Sequence, residues 1–147
     1  MTNRLHALAG SLGLLCIALF WAATVVSELS QDMTAIVWVK TAIPWGLLVL
    51  IPAMIVVGAS GFRLARGRTG NVIEAKRRRM PLIALNGMLV LVPCAFVLAA
   101  WAQAARFDSW FYAVQALELA AGALNLMLMG RNMRDGLRLT NRWRRTT

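Results

Sequence analysis

The last apolar run of the chain carries Gln115, Glu118, Gly122 and Asn125, three, four and three residues apart. On a helix that spacing gathers all four on one face. Glu118 lies eight residues in from Trp110, about 12 Å at 1.5 Å per residue, close to the middle of a bilayer. A carboxylate at that depth must be paired, hydrated or protonated. The chemistry open to it is a proton or cation site, a polar ligand contact, or a salt bridge or hydrogen bond joining two helices. Lys40, near the start of the second apolar run, enters from the same side on a long flexible stem and can pair with Glu118 if the two helices are neighbours. Gln115, Glu118, Asn125 and Lys40 therefore form the candidate intramembrane polar site. Towards the other face, His6, Asn86 and Asn125 fall at similar depths on the first, third and fourth runs. They are expected to meet in one polar cluster, either a site or a set of hydrogen bonds across helices, the more usual role of membrane asparagine.

The elements that must position these residues are apolar to a degree foreign to soluble domains: of 147 residues, 59% are hydrophobic and 15% charged. Four runs, at about 5–26, 36–62, 81–105 and 110–130, each reach the roughly 20 residues a helix needs to cross hydrocarbon. None alternates as a barrel strand would. The expected fold is an all-α, antiparallel four-transmembrane-helix bundle forming one membrane domain, with a basic loop at 63–80 and a basic tail at 131–147. Lys40 is expected to reach up to the interface, and Pro52 and Pro93 to kink their helices, freeing the carbonyls of Leu48 and Leu89. The first run begins beside Arg4 but exceeds the apolar core of a signal peptide, and no small-residue cleavage site follows it, so it reads as retained. Cys16 and Cys94 both lie inside apolar runs and read as small buried thiols.

Charge sets the orientation. Of sixteen Lys and Arg, fourteen fall at Arg4, in the 63–80 loop or in the tail, leaving Lys40 and Arg106 on the other side. The positive-inside rule then places both termini in the cytoplasm, and the expected location is a bacterial cytoplasmic (inner) membrane. Trp21, Trp38, Trp45, Trp101, Trp110, Phe111 and Tyr112 would make an aromatic belt at the outer interface. Topology thus accounts for most of the +10 net charge, and nucleic acid is not an expected partner. Lys76, Arg77, Arg78 and Arg79, beside Met80 and Pro81, are a juxtamembrane cluster suited to anionic headgroups. The tail, with Met133, Leu137, Leu139 and Trp143 among its arginines, is expected to lie along the inner surface. Small residues suggest association with a second copy or a larger complex, through Ala9 and Gly13, Gly58 and Gly61, or Ala116 and Ala120.

His6 is the only histidine. In topology the chain resembles four-helix membrane b-type cytochromes, a resemblance that implies haem b held by His6. A second axial histidine is absent, so the partner would be a methionine or His6 of another copy. In helix number and in one membrane glutamate the chain also resembles small multidrug carriers, which place that residue on the first helix rather than the fourth. No P-loop, G-x-G-x-x-G, C-x-x-C, H-E-x-x-H or G-x-S-x-G is present, which points away from an enzyme. The leading expectation is a noncatalytic accessory or assembly subunit of a membrane complex. The alternatives are an oligomeric proton- or cation-coupled transporter using Glu118, and a haem- or quinone-binding electron-transfer protein using His6.

Overall fold

The computed structural model describes residues 2–66 and 70–144, with side chains at 4–64, 66, 70 and 73–138. Arg68 and Arg145 lie outside the described residues, as do the side chains of Leu139, Arg142, Trp143 and Arg144. The chain forms α1 (Thr2–Ser30), α2 (Met33–Ala65), α3 (Asn71–Asn86), a π turn (Gly87–Leu91), α4 (Val92–Gln103) and α5 (Ser109–Arg144). Because α3, the π turn and α4 follow one another without a break, there are four rods. Each contains a stretch long and apolar enough to cross a membrane: Arg4–Ser30, Met33–Leu64, Ile73–Gln103 and Ser109–Arg138. Such lengths suggest a multi-pass membrane protein, in which the helix satisfies every backbone group within its own segment.

Short turns make successive rods antiparallel. Between α1 and α2 the reversal takes two residues: Gln31 adopts a left-handed φ of 54°, and the Asp32 carboxylate caps α2 by accepting from the Thr34 N–H at 2.9 Å. Asp108 caps α5 in the same way, accepting from the N–H groups of Trp110 at 3.1 Å and Phe111 at 3.0 Å. These two turns share one end of the bundle, the loop face. The opposite end, where α1 starts and α5 stops, is the terminal face.

The helices run further than hydropathy indicates. The stretch expected as a loop at 63–80 is helical from Asn71 onward, and the supposed tail continues α5 to Arg144. Glu, Ala, Lys and Arg are good helix formers, so helix persists where the apolar signal stops; Gly70, with φ 135°, stands directly before α3. Segment 131–144 therefore continues a 36-residue helix rather than forming a separate surface strip.

The third rod accommodates Pro93 in a specific way. Where a simple kink was expected, the turn before the proline is π-helical, and the Val92 N–H bonds to the Gly87 carbonyl five residues back. Widening this turn shifts the hydrogen-bond register next to the residue that lacks a donor. Pro44 and Pro52 are both carried inside α2 without interrupting it.

Two apolar clusters hold the rods together. One joins Ile17, Ile43, Leu47, Leu50, Ile83, Ala95 and Met129; the other, nearer the loop face, joins Ile36, Leu98, Ala102 and Phe111. Phe111, expected in the aromatic belt, is thus core, whereas Trp38, Trp45 and Trp110 are exposed. Alpha-1 meets α2 closely where the Phe20 ring lies over Gly46, and any Cβ at position 46 would collide with that ring. Ala9 and Gly13 are buried inside the bundle, with Gly13 against Met54. That pair therefore serves internal packing and offers nothing to a second copy; Ala116 and Ala120 face outward.

Candidate intramembrane polar site

Lys40 descends from the loop face on α2 and Glu118 from the same face on α5. Their side chains meet with Nζ 2.5 Å from Oε2. Lys40 is 1% exposed and Glu118 12%, so the lysine head does not reach the interface as its position suggested. The bundle interior provides the counter-charge closer by, and an ammonium that has left water needs one. The polar stripe of α5 points inward as its spacing requires: Gln115 and Asn125 are buried, Gly122 is buried, and the intervening Ala116, Leu117, Ala123 and Leu124 face outward.

Around the ion pair the polar groups of α1 gather. Thr24 and Ser27 are buried, with the Ser27 hydroxyl donating to the Thr24 carbonyl at 2.9 Å. Trp21, expected at the outer interface, instead donates its indole N–H to the Leu119 carbonyl at 3.0 Å. Its ring also fills the space above Gly122, whose absent Cβ would lie 3.1 Å from it. A cavity of about 60 Å³ lies between Ile17, Phe20, Trp21, Thr24, Leu91 and Glu118. That is room for a few water molecules.

About two turns beyond Glu118 on α5, Asn125 accepts from Asn86 Nδ2 at 2.9 Å, and the same Asn86 amide donates to the Ala121 carbonyl at 2.9 Å. Asn125 Nδ2 donates in return to the Ile83 carbonyl at 3.4 Å. This amide pair staples α3 to α5 directly before the π turn. His6 does not join it. Its Nδ1 lies 2.8 Å from Ser60 Oγ on α2, and the Ser60 hydroxyl already gives its proton to the Val56 carbonyl at 2.5 Å. With the Ser60 proton on that carbonyl, the tautomer that fits carries its hydrogen on Nδ1 and its lone pair on Nε2. The expected cluster of three divides because depth is legible from sequence and azimuth between rods is not. Among the described residues no group of three or more His, Cys, Asp or Glu converges.

The basic run also divides. Arg79 bonds to Asp135 at 2.7 Å and to Asn132 at 3.4 Å, and Lys76 Nζ occupies the space beside Gly136, 3.2 Å from where a Cβ would stand. Arg77 and Arg78 are exposed, so half of the expected lipid-contact cluster holds α3 against α5 and half faces outward. At the loop face Arg106 bonds to Asp108 at 2.7 Å and lies 4.7 Å from the Trp101 ring. The Arg106 guanidinium, with the Phe111 N–H, holds the Asp108 carboxyl below the usual carboxylate range.

Several participants gave little sign in the sequence. Asp135 alone was conspicuous, as a carboxylate within a basic segment; Ser60, Trp21, Thr24 and Glu28 enter the polar interior through packing. Two side-chain oxygens in this interior, Glu28 Oε1 and Gln115 Oε1, are buried without a hydrogen-bond donor among the described residues. The chain matches no family model, no curated protein and no solved structure.

Proposed function

We propose that the protein is a noncatalytic accessory or assembly subunit of a membrane complex, embedded in a bacterial cytoplasmic membrane with both termini inside. The observation that supports this reading is the pairing of polar side chains between rods. Lys40 with Glu118, Asn86 with Asn125, and Arg79 with Asp135 each tie one rod to another. The interior cavity of about 60 Å³ falls far below the roughly 300–1,000 Å³ of small-molecule sites. Such groups fix which helices are neighbours, and a fixed bundle is what a scaffold needs. A concave strip of about 460 Å³ between α2 and α4, lined by Thr41, Trp45, Leu48, Phe96, Ala100 and Gln103, would seat a transmembrane helix of the partner. Arg77 and Arg78, with exposed Arg131, Arg134 and Arg138 on α5, would contact anionic headgroups on the cytoplasmic side.

The test is the native mass in mild detergent. A subunit migrates well above a dimer, and a clean monomer from unperturbed membranes would sink the proposal. The second reading, a proton- or cation-coupled carrier, draws support from Glu118 bordering the cavity. Under that reading Glu118→Gln abolishes a transport phenotype while the protein still accumulates; under the subunit reading the phenotype survives.

A further inference from the structure

The polar interior near the loop face does not balance its charge. Of the acidic and basic residues on this side, the carboxylates are Glu28, Asp32, Asp108 and Glu118, and the cations are Lys40 and Arg106. Both cations are engaged, Lys40 by Glu118 and Arg106 by Asp108. Asp32 is exposed and caps α2. Glu28 is left with one carboxylate oxygen buried and no donor to it among the described residues.

The register between α1 and α5 brings a second orphan to the same level. The bond from Trp21 to Leu119 fixes the two antiparallel rods against each other. Glu28 lies seven residues beyond Trp21, about 10 Å nearer the loop face, and Gln115 lies four residues before Leu119, about 6 Å in the same direction. Steps of seven and four keep both residues on the faces already in contact. Helical side chains lean towards their own N-terminus, so Glu28 leans into the bundle and Gln115 leans towards the loop face. The remaining difference in height closes. Gln115 is 5% exposed, and its Oε1 has no donor among the described residues. One turn below Glu28 on α1 is the buried hydroxyl of Thr24, and the buried Ser27 directly precedes Glu28. The Ser27 proton goes to the Thr24 carbonyl, which leaves the hydroxyl oxygen as an acceptor.

We propose that Glu28, Gln115, Thr24 and Ser27 form a binding site for one monovalent alkali cation of the sodium class. The donor set is one carboxylate, one amide oxygen and two hydroxyls, all hard oxygen ligands of the kind that replace water around hard cations. A single positive charge cancels the single uncompensated carboxylate, whereas a divalent ion would leave an excess charge in the same low-dielectric interior. The cation would bridge α1 to α5 beside the Lys40–Glu118 pair, adding a further polar tie between rods. This inference stands apart from the accessory-subunit reading, since a scaffold and a carrier could both hold the ion.

The test is thermal unfolding of the purified full-length protein in mild detergent. NaCl is titrated against N-methyl-D-glucamine chloride at constant total chloride and neutral pH. Sodium should raise Tm saturably, on the order of 5 °C, as a ligand that binds only the folded state does. Glu28→Gln and Gln115→Leu should abolish the sodium-dependent part, and Glu74→Gln, on the exposed surface of α3, should retain it. Superimposable curves in the two salts for the wild-type protein would overturn the proposal without recourse to any variant. So would a Tm that ignores sodium and rises on mild acidification, which would assign the site to a proton.

Discussion

At the residue scale, the Lys40–Glu118 pair is a case in which each charge exists inside the bundle because of the other. Breaking it from one side should be worse than removing it. Lys40→Met leaves a buried carboxylate without its counter-charge, and such lesions are worth about 3–5 kcal/mol, whereas an apolar replacement of both partners is often neutral. In detergent unfolding, Lys40→Met should therefore lower Tm strongly and the double variant Lys40→Met, Glu118→Met should recover much of it. Equal loss in the single and double variants would show that the pair is not coupled. Asp108 gives a separate prediction at the surface. Its carboxyl is held below the usual range by Arg106 and the Phe111 N–H, so it contributes stability above the unfolded carboxylate pKa of about 3.9. That contribution is lost as pH falls through the lower folded value. Wild-type Tm should drop faster than that of Asp108→Asn below about pH 4, and parallel acid limbs would contradict this. The Lys40–Glu118 contact was legible in the sequence because both residues enter from one face and rise per residue sets their depth. The His6–Ser60 contact was not, since nothing in a linear sequence tells which rod a polar residue faces.

At the scale of the element, hydropathy located the four rods but underestimated two of them. The signal it reads is apolarity, and Asn71–Arg79 and Arg131–Arg144 are helical through propensity and mutual packing. Glu74 in the first turn of α3 suits the positive end of the helix dipole. Arg79, Asp135 and Asn132 then join the polar start of α3 to the polar end of α5. Pro93 predicts a kink from sequence, but proline alone does not say whether the helix bends or widens, and here it is preceded by a π turn. The Arg79–Asp135 bond is only partly shielded from solvent, so its contribution is about 1 kcal/mol at most. Its removal should loosen the ends rather than unfold the bundle. Asp135→Asn should speed amide exchange in 73–80 and 131–138 and leave α1 unchanged. Unaltered exchange in both segments would mean that the apolar contacts beneath them suffice.

At the scale of the whole molecule, the asymmetry of charge is the strongest statement the sequence makes. The terminal face carries Arg63, Arg66, Arg77, Arg78, Arg131, Arg134 and Arg138 exposed, while the loop face exposes one cation, Arg106, already bonded to Asp108. Exposed Trp38 and Trp110 lie towards the loop face, where amphipathic rings favour headgroup level. Trp45, expected in the same belt, lies five residues beyond Lys40 on α2 and so deeper in the span. Basic residues resist transfer across the membrane, so the terminal face should be cytoplasmic and the loop face external. Two exposed positions report on this directly. In a Cys16→Ala, Cys94→Ala background, Gln31→Cys places a thiol at the tight α1–α2 turn and Arg78→Cys places one on the first turns of α3. A membrane-impermeant maleimide added to intact cells should label position 31 and spare position 78 until the membrane is opened. The reverse pattern would invert the topology and move Arg77, Arg78 and the end of α5 away from the anionic cytoplasmic leaflet. Glu28, Gln115 and the Lys40–Glu118 pair, which lie nearer the loop face in either case, would then open towards the cytoplasm, and the proposed cation site would sample the sodium concentration of the cell interior instead of that of the medium.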